Sequence, residues 1–117
     1  MKALIITTEG SPYTKRVNGY SELQEIVGGL IDAVTHHEVK MSAYVNDEGL
    51  LLGLPMNRIA SVMFGRYLVG DVVVCGVPDE DGNDTDVLEA VVAVAGYNDH
   101  IRKWHDEAVA DREALSR

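Results

Sequence analysis

Four consecutive apolar residues, Val72-Val73-Val74-Cys75, constrain this chain more than any other feature. Valine's β-branched side chain has few χ1 rotamers and suits a pleated surface better than a helix. A short continuous run of this kind reads as a buried strand. It closes the strongest strand signal in the chain, Tyr67 to Val77, and Gly70-Asp71 before it predicts a turn or bulge at its entrance.

A buried strand needs neighbours, and the rest of the chain offers short ones. Ala3 to Thr7 is apolar and rich in β-branched residues, and Glu9-Gly10-Ser11-Pro12 supplies a turn that returns Tyr13 to Val17 as its partner. Leu30 to Thr35 and Val39 to Val45 form a second hairpin around His36-His37-Glu38, with Met41, Ala43 and Val45 on one face. After the turn Asn46 to Gly49, Leu50-Leu51-Leu52 reads as a brief strand.

Helices separate these strands. Ser21-Glu22-Leu23-Gln24 has the form of a capping box, and Gly28-Gly29 should stop the helix that it opens. Asn57 is placed to cap a helix from Arg58 to Phe64 that ends at Gly65, with Ile59, Val62 and Met63 facing the core. Thr85 should cap another from about Asp86 to Ala95, broken at Gly96. Asn98 then starts a polar helix on which Ile101, Trp104, Ala108 and Leu115 form a narrow apolar stripe. The expected fold class is α+β: a mainly antiparallel sheet of hairpins with short helices in residues 1–95, and a C-terminal helical extension in 96–117.

The chain's 117 residues are enough for one such domain. With one Trp and one Phe, its core must come mainly from Val, Leu, Ile, Ala and Met. The formal charge of −9 repels a phosphate backbone, so direct nucleic-acid binding is disfavoured and a basic protein surface is the more natural partner. Cys75 is the only cysteine, which excludes an intramolecular disulfide. The N-terminal apolar run is too short for a signal peptide and no stretch approaches a membrane span, so the cytoplasm is the expected compartment.

Four segments together resemble a known family. They are Leu23 to Ile31; Tyr44 to Gly49 with Gly53-Leu54-Pro55-Met56-Asn57-Arg58-Ile59-Ala60; Val69 to Val74; and the acidic turn from Asp79 to Thr85. In this order and spacing they are similar to the domain of unknown function 3846, over roughly the first three quarters of the chain and without the Trp104 helix. The resemblance implies a small accessory protein of bacteriophage, plasmid or actinobacterial type. It carries no catalytic residues across.

Candidate sites have to come from the residues themselves. A polar pocket near the Gly28-Gly29 turn could use Asn46, Glu48, Asn57 and Arg58, with Arg58 and the free N–H groups of its helix holding an anion. The simpler role for the same residues is in turns and caps, and no phosphate-loop or dinucleotide fingerprint is present. Asp79, Glu80, Asp81 and Asp84 could dock a basic partner or form a solvated turn. That stretch begins like a calcium loop, but Gly82 comes too early and Ala90 stands where a closing Glu is needed. His36 and His37 are adjacent, and His100 and His105 are five apart, so neither pair has metal-ligand spacing; no metal or cofactor is expected.

Ser11, Ser21, Ser42 and Ser61 lack a nucleophile motif, so catalysis is not supported. The stripe at Ile101, Trp104, Ala108 and Leu115 must cover either the parent sheet or a second copy, which makes a homodimer the expected assembly. The expectation is a non-enzymatic protein that binds a host or phage protein. The alternatives are a small-ligand binder for a nucleotide-like anion and, with no residue constellation behind it, a minor hydrolase.

Overall fold

The computed structural model describes residues 1–115 and shows an α+β fold with one five-stranded antiparallel sheet. The elements in chain order are β1 (Lys2–Ile6), β2 (Tyr13–Arg16), α1 (Tyr20–Val27), β3 (Ile31–His36), β4 (Met41–Asn46), α2 (Arg58–Phe64), β5 (Val72–Cys75) and α3 (Glu89–Leu115). The sheet order is β2-β1-β5-β4-β3, so the valine run is the central strand. It pairs Val73 with Ile5 on one side and with Tyr44 on the other.

Both faces of the sheet are covered, which is why β5 is a continuous apolar run rather than an alternating one. Val72 and Val74 join Leu4, Ile6, Met41 and Ala43 in the larger core cluster, closed by Ile59, Ala60 and Phe64 of α2 and by Val91 and Ala95 of α3. Val73 faces the other way, into a smaller cluster with Ala3, Ile5 and Val17 beneath Leu23 and Val27 of α1. The fold is three layers, with α1 on one face of the sheet and α2 and α3 on the other.

Local chemistry sets several boundaries as expected. The two hairpins β1–β2 and β3–β4 form, and Lys40 takes a positive φ of 58° at the end of the second turn. Asn57 caps α2 by accepting from the Ala60 N–H, and Gly65 ends that helix in the left-handed conformation. Gly28 ends α1 in the same way.

Other expectations are corrected. Ser21 is not the cap of α1: the helix starts at Tyr20 behind Gly19, and the Glu22 carboxylate reaches back to the Asn18 N–H. Leu50-Leu51-Leu52 is not a strand. Backbone bonds from Leu52 to Glu48, from Gly53 to Leu50 and from Leu54 to Gly49 wind it into consecutive turns and leave all three leucines exposed. Val62, expected in the core, faces outward from α2.

Thr85 caps no helix, because its hydroxyl donates to the Val77 carbonyl and α3 begins only at Glu89. Gly96 does not break α3, which runs unbroken for 27 residues. The backbone of Gly76 lies so close to Thr85 and Asp86 that a Cβ there would come within 2.6 Å of the Asp86 carbonyl oxygen. That close approach folds the 76–87 segment back along β1, where Val87 N–H donates to Lys2 O.

Candidate functional site

The four residues of the expected polar pocket do not meet. Asn46, at the end of β4, donates from Nδ2 to the Val27 carbonyl at the C-terminus of α1, and its Oδ1 accepts from the Glu48 N–H. Those two line one cleft of about 380 Å³ together with Asp32, Asp47, Arg66 and Tyr67. Asn57 is fully buried: Nδ2 donates to the carbonyls of Ile6 and Gly70 at 2.8 and 2.9 Å while Oδ1 caps α2. It ties β1, the entrance to β5 and α2 together, and no ligand can reach it. Arg58 lies elsewhere.

Arg58 leads to a cluster of cations that shares a cleft. α2 and α3 pack side by side, and the β1–β2 turn passes the same end of the pair. Thr8, Glu9, Arg58, Arg102, Lys103 and Asp106 line an open cleft of about 420 Å³ there. The charges are already interlocked: Arg58 with Asp106 at 3.2 Å, Arg102 with Asp99 at 2.8 Å, and Lys103 with Asp99 at 3.2 Å. Lys103 also donates to Ser11 Oγ.

Burial raises the pKa of the Asp99 carboxyl, but Ser11, Lys103 and Arg102 together hold it below its ordinary value. The hydrogen bond from Arg58 does the same for Asp106. The sequence pointed to Arg58 but not to its companions, because they come from a helix some forty positions later. The only local signal was the three- and four-residue spacing of Asp99 from Arg102 and Lys103.

The acidic turn between β5 and α3 is organised by its own carboxylates. Asp79 Oδ1 accepts from the N–H groups of Asp81 and Asn83, while backbone bonds join Asp79 to Asn83 and Gly82 to Asp79. Asp84 accepts from the Tyr44 hydroxyl on β4. Burial and this bond push the Tyr44 hydroxyl well above the ordinary phenol range. Glu80 and Asp81 are exposed at the tip. Cys75 is buried next to this turn, and burial, with the Asp84 charge, pushes its thiol up to about 12.

Among the described residues no group of three or more His, Cys, Asp or Glu side chains is placed to hold a metal ion. No helix among them is long and apolar enough to cross a membrane. Ile101, Trp104, Ala108 and Leu115 all lie exposed along α3. They do not fold back over the sheet, whose faces are already covered.

No curated protein and no solved structure matches the chain. A family model does, over residues 1–102, which reaches past the acidic turn and through the docked half of α3, farther than the segments that carried the resemblance. By that match the chain belongs to the family described as domain of unknown function 3846 (DUF3846).

Proposed function

We propose that this chain is a non-catalytic accessory protein of phage or mobile-element type that binds a basic protein surface through the acidic turn at Asp79 to Asp84. The observation that carries the reading is the turn's self-organisation. Asp79 and Asp84 spend their carboxylates on holding its shape, and Glu80 and Asp81 are displayed on a backbone that is already ordered. A preorganised loop loses little conformational freedom on binding, and its charge steers a basic partner into contact.

The test separates the displayed carboxylates from the structural ones. A partner captured from infected host lysate is assayed for association rate against wild type and against Glu80→Gln with Asp81→Asn. At low salt the double variant should associate roughly tenfold more slowly, and the difference should shrink as salt rises. Equal on-rates at low salt would reduce the turn to a solvated loop.

A second reading is supported by the Arg58–Arg102–Lys103 cleft, where three cations line one opening that could take a nucleotide-like anion. Asp99 and Asp106 already neutralise much of that charge, so the affinity expected is low. Titration calorimetry with inorganic phosphate and nucleoside triphosphates would register it. A signal unaltered by Arg58→Ala with Arg102→Ala would place the anion elsewhere.

A further inference from the structure

The exposed stripe on α3 is longer than its sequence alone suggested, because α3 is one helix. Once Gly96 is read as mid-helix, Val94 and Tyr97 join Ile101, Trp104, Ala108 and Leu115 at spacings of three, four, three, four and seven. That is the a/d seam of a coiled coil, a pattern made to receive a second helix. The face that α3 turns to its own body is a different one, formed by Val91, Ala95 and Asp99. Tyr97 is 65% exposed, Trp104 63% and Leu115 89%. The molecule is 58 Å long against 32 and 23 Å in its other dimensions, and α3 alone spans roughly 40 Å, so its distal half projects beyond the body.

The body presents the complementary feature. An apolar groove of about 350 Å³ runs between α2 and the root of α3, lined by Val39, Val62, Met63, Ala90 and Val94. Ala90 occupies the next seam position before Val94, so groove and seam are continuous.

We propose that α3 pairs antiparallel with α3 of a second copy, so that Leu115 of each chain seats in the α2–α3 groove of the other. In the register that sets Ile101 opposite the second copy's Trp104, Tyr97 faces Ala108, Val94 faces Asp111 and Ala90 faces Leu115. Large side chains then meet small ones in the Tyr97–Ala108 and Ala90–Leu115 layers, and each Asp111 meets a valine rather than a second carboxylate. Alongside the seam, Glu107 falls opposite His100 of the second copy. The parallel alternative stacks Trp104 on Trp104 and Asp111 on Asp111, which sets two like charges in one layer of chains that already carry −9 each. Each buried aromatic ring removes roughly 150–250 Å² from water, which gives the pair its driving force. The antiparallel arrangement is isologous, so one patch serves both copies and the assembly closes at two.

Sedimentation equilibrium of the full chain across the micromolar range should show a dimer. Trp104→Asp should weaken it by roughly thirtyfold or more, with an unchanged far-ultraviolet circular dichroism spectrum, since Trp104 contributes nothing to the core of its own chain. Orientation is read by oxidative cross-linking, with buried Cys75 silent. Chains carrying Tyr97→Cys mixed with chains carrying Ala108→Cys should give a disulfide heterodimer, and Ala108→Cys chains alone should not cross-link. A monomeric wild type, a dimer indifferent to Trp104→Asp, or self-cross-linking of Ala108→Cys would each overturn the proposal.

Discussion

β5 and the distal half of α3 are opposite solutions to the same problem of where apolar side chains go. β5 places four apolar residues in the middle of the sheet, and its own fold covers both faces, so Val72, Val73 and Val74 have no exposure at all. From Trp104 to Leu115, α3 is exposed at every position, its apolar residues included. A strand cannot stand alone, because its backbone groups and both faces need neighbours from the same chain. A helix satisfies its backbone internally and can project with one stripe uncovered. The body therefore carries the stability of the monomer, and the projecting helix carries surface.

The largest effect expected from breaking that division is at Asn57, which joins three elements of the body. Asn57→Ala removes the cap of α2 and the two bonds that its amide donates to the carbonyls of Ile6 and Gly70. Roughly 3–5 kcal/mol of unfolding free energy should be lost, measured by urea denaturation. A loss below about 1 kcal/mol would mean that water replaces the amide and that the body is less tightly joined there.

Cys75, on β5 itself, sharpens the contrast by pH. Its thiol is held at about 12 in the fold against 9.0 for an ordinary cysteine, so it stays neutral while an unfolded chain ionises. The stability that this gives is complete below about pH 9 and is lost as pH rises toward 12, at about 1.4 kcal/mol per pH unit. Denaturation midpoints taken from pH 8 to 11 should fall more steeply for wild type than for Cys75→Ala. Parallel slopes would put the alkaline sensitivity on Tyr44, whose hydroxyl is shifted in the same direction.

The smallest effect expected is at Gly96, within the docked half of α3. A Cβ there meets nothing within 4 Å, so Gly96→Ala should stabilise the helix by about 0.5–1 kcal/mol, read by thermal melting. Destabilisation would show that the glycine serves a bend which a straight helix cannot make.

These three positions also mark what local reasoning could read. Asn57, Arg58 to Phe64 and Gly65 were legible as cap, helix and stop because capping acts within a few residues. The two hairpins were legible from alternation and turn residues. Gly96 misled because its helix penalty, about 1 kcal/mol, is outweighed by the docking of Val91, Ala95 and Asp99 on either side of it. Thr85 misled because its hydroxyl had a more distant claim, the Val77 carbonyl. The leucines at 50–52 misled because apolar character alone cannot tell a strand from a turn that has no strand beside it.

The acidic segment could be read as a turn because its residues are adjacent in the chain. The pocket built on Asn46, Glu48, Asn57 and Arg58 could not, since Asn46 and Glu48 line one cleft, Arg58 lines another and Asn57 is buried away from both.

The sequence by itself determined the α+β class, the burial of the valine strand, the caps of α2, the acidic turn and the family. Each of these depends on residue types within a few positions of one another, or on motifs in a fixed order. Only the tertiary structure decided that the sheet is covered on both faces, that Asn57 is structural, that Arg58 shares a cleft with Arg102 and Lys103, and that the α3 stripe starts at Val94 and faces solvent. Those outcomes depend on packing between segments tens of residues apart, where the free energy of burial overrides the small preferences that local patterns express.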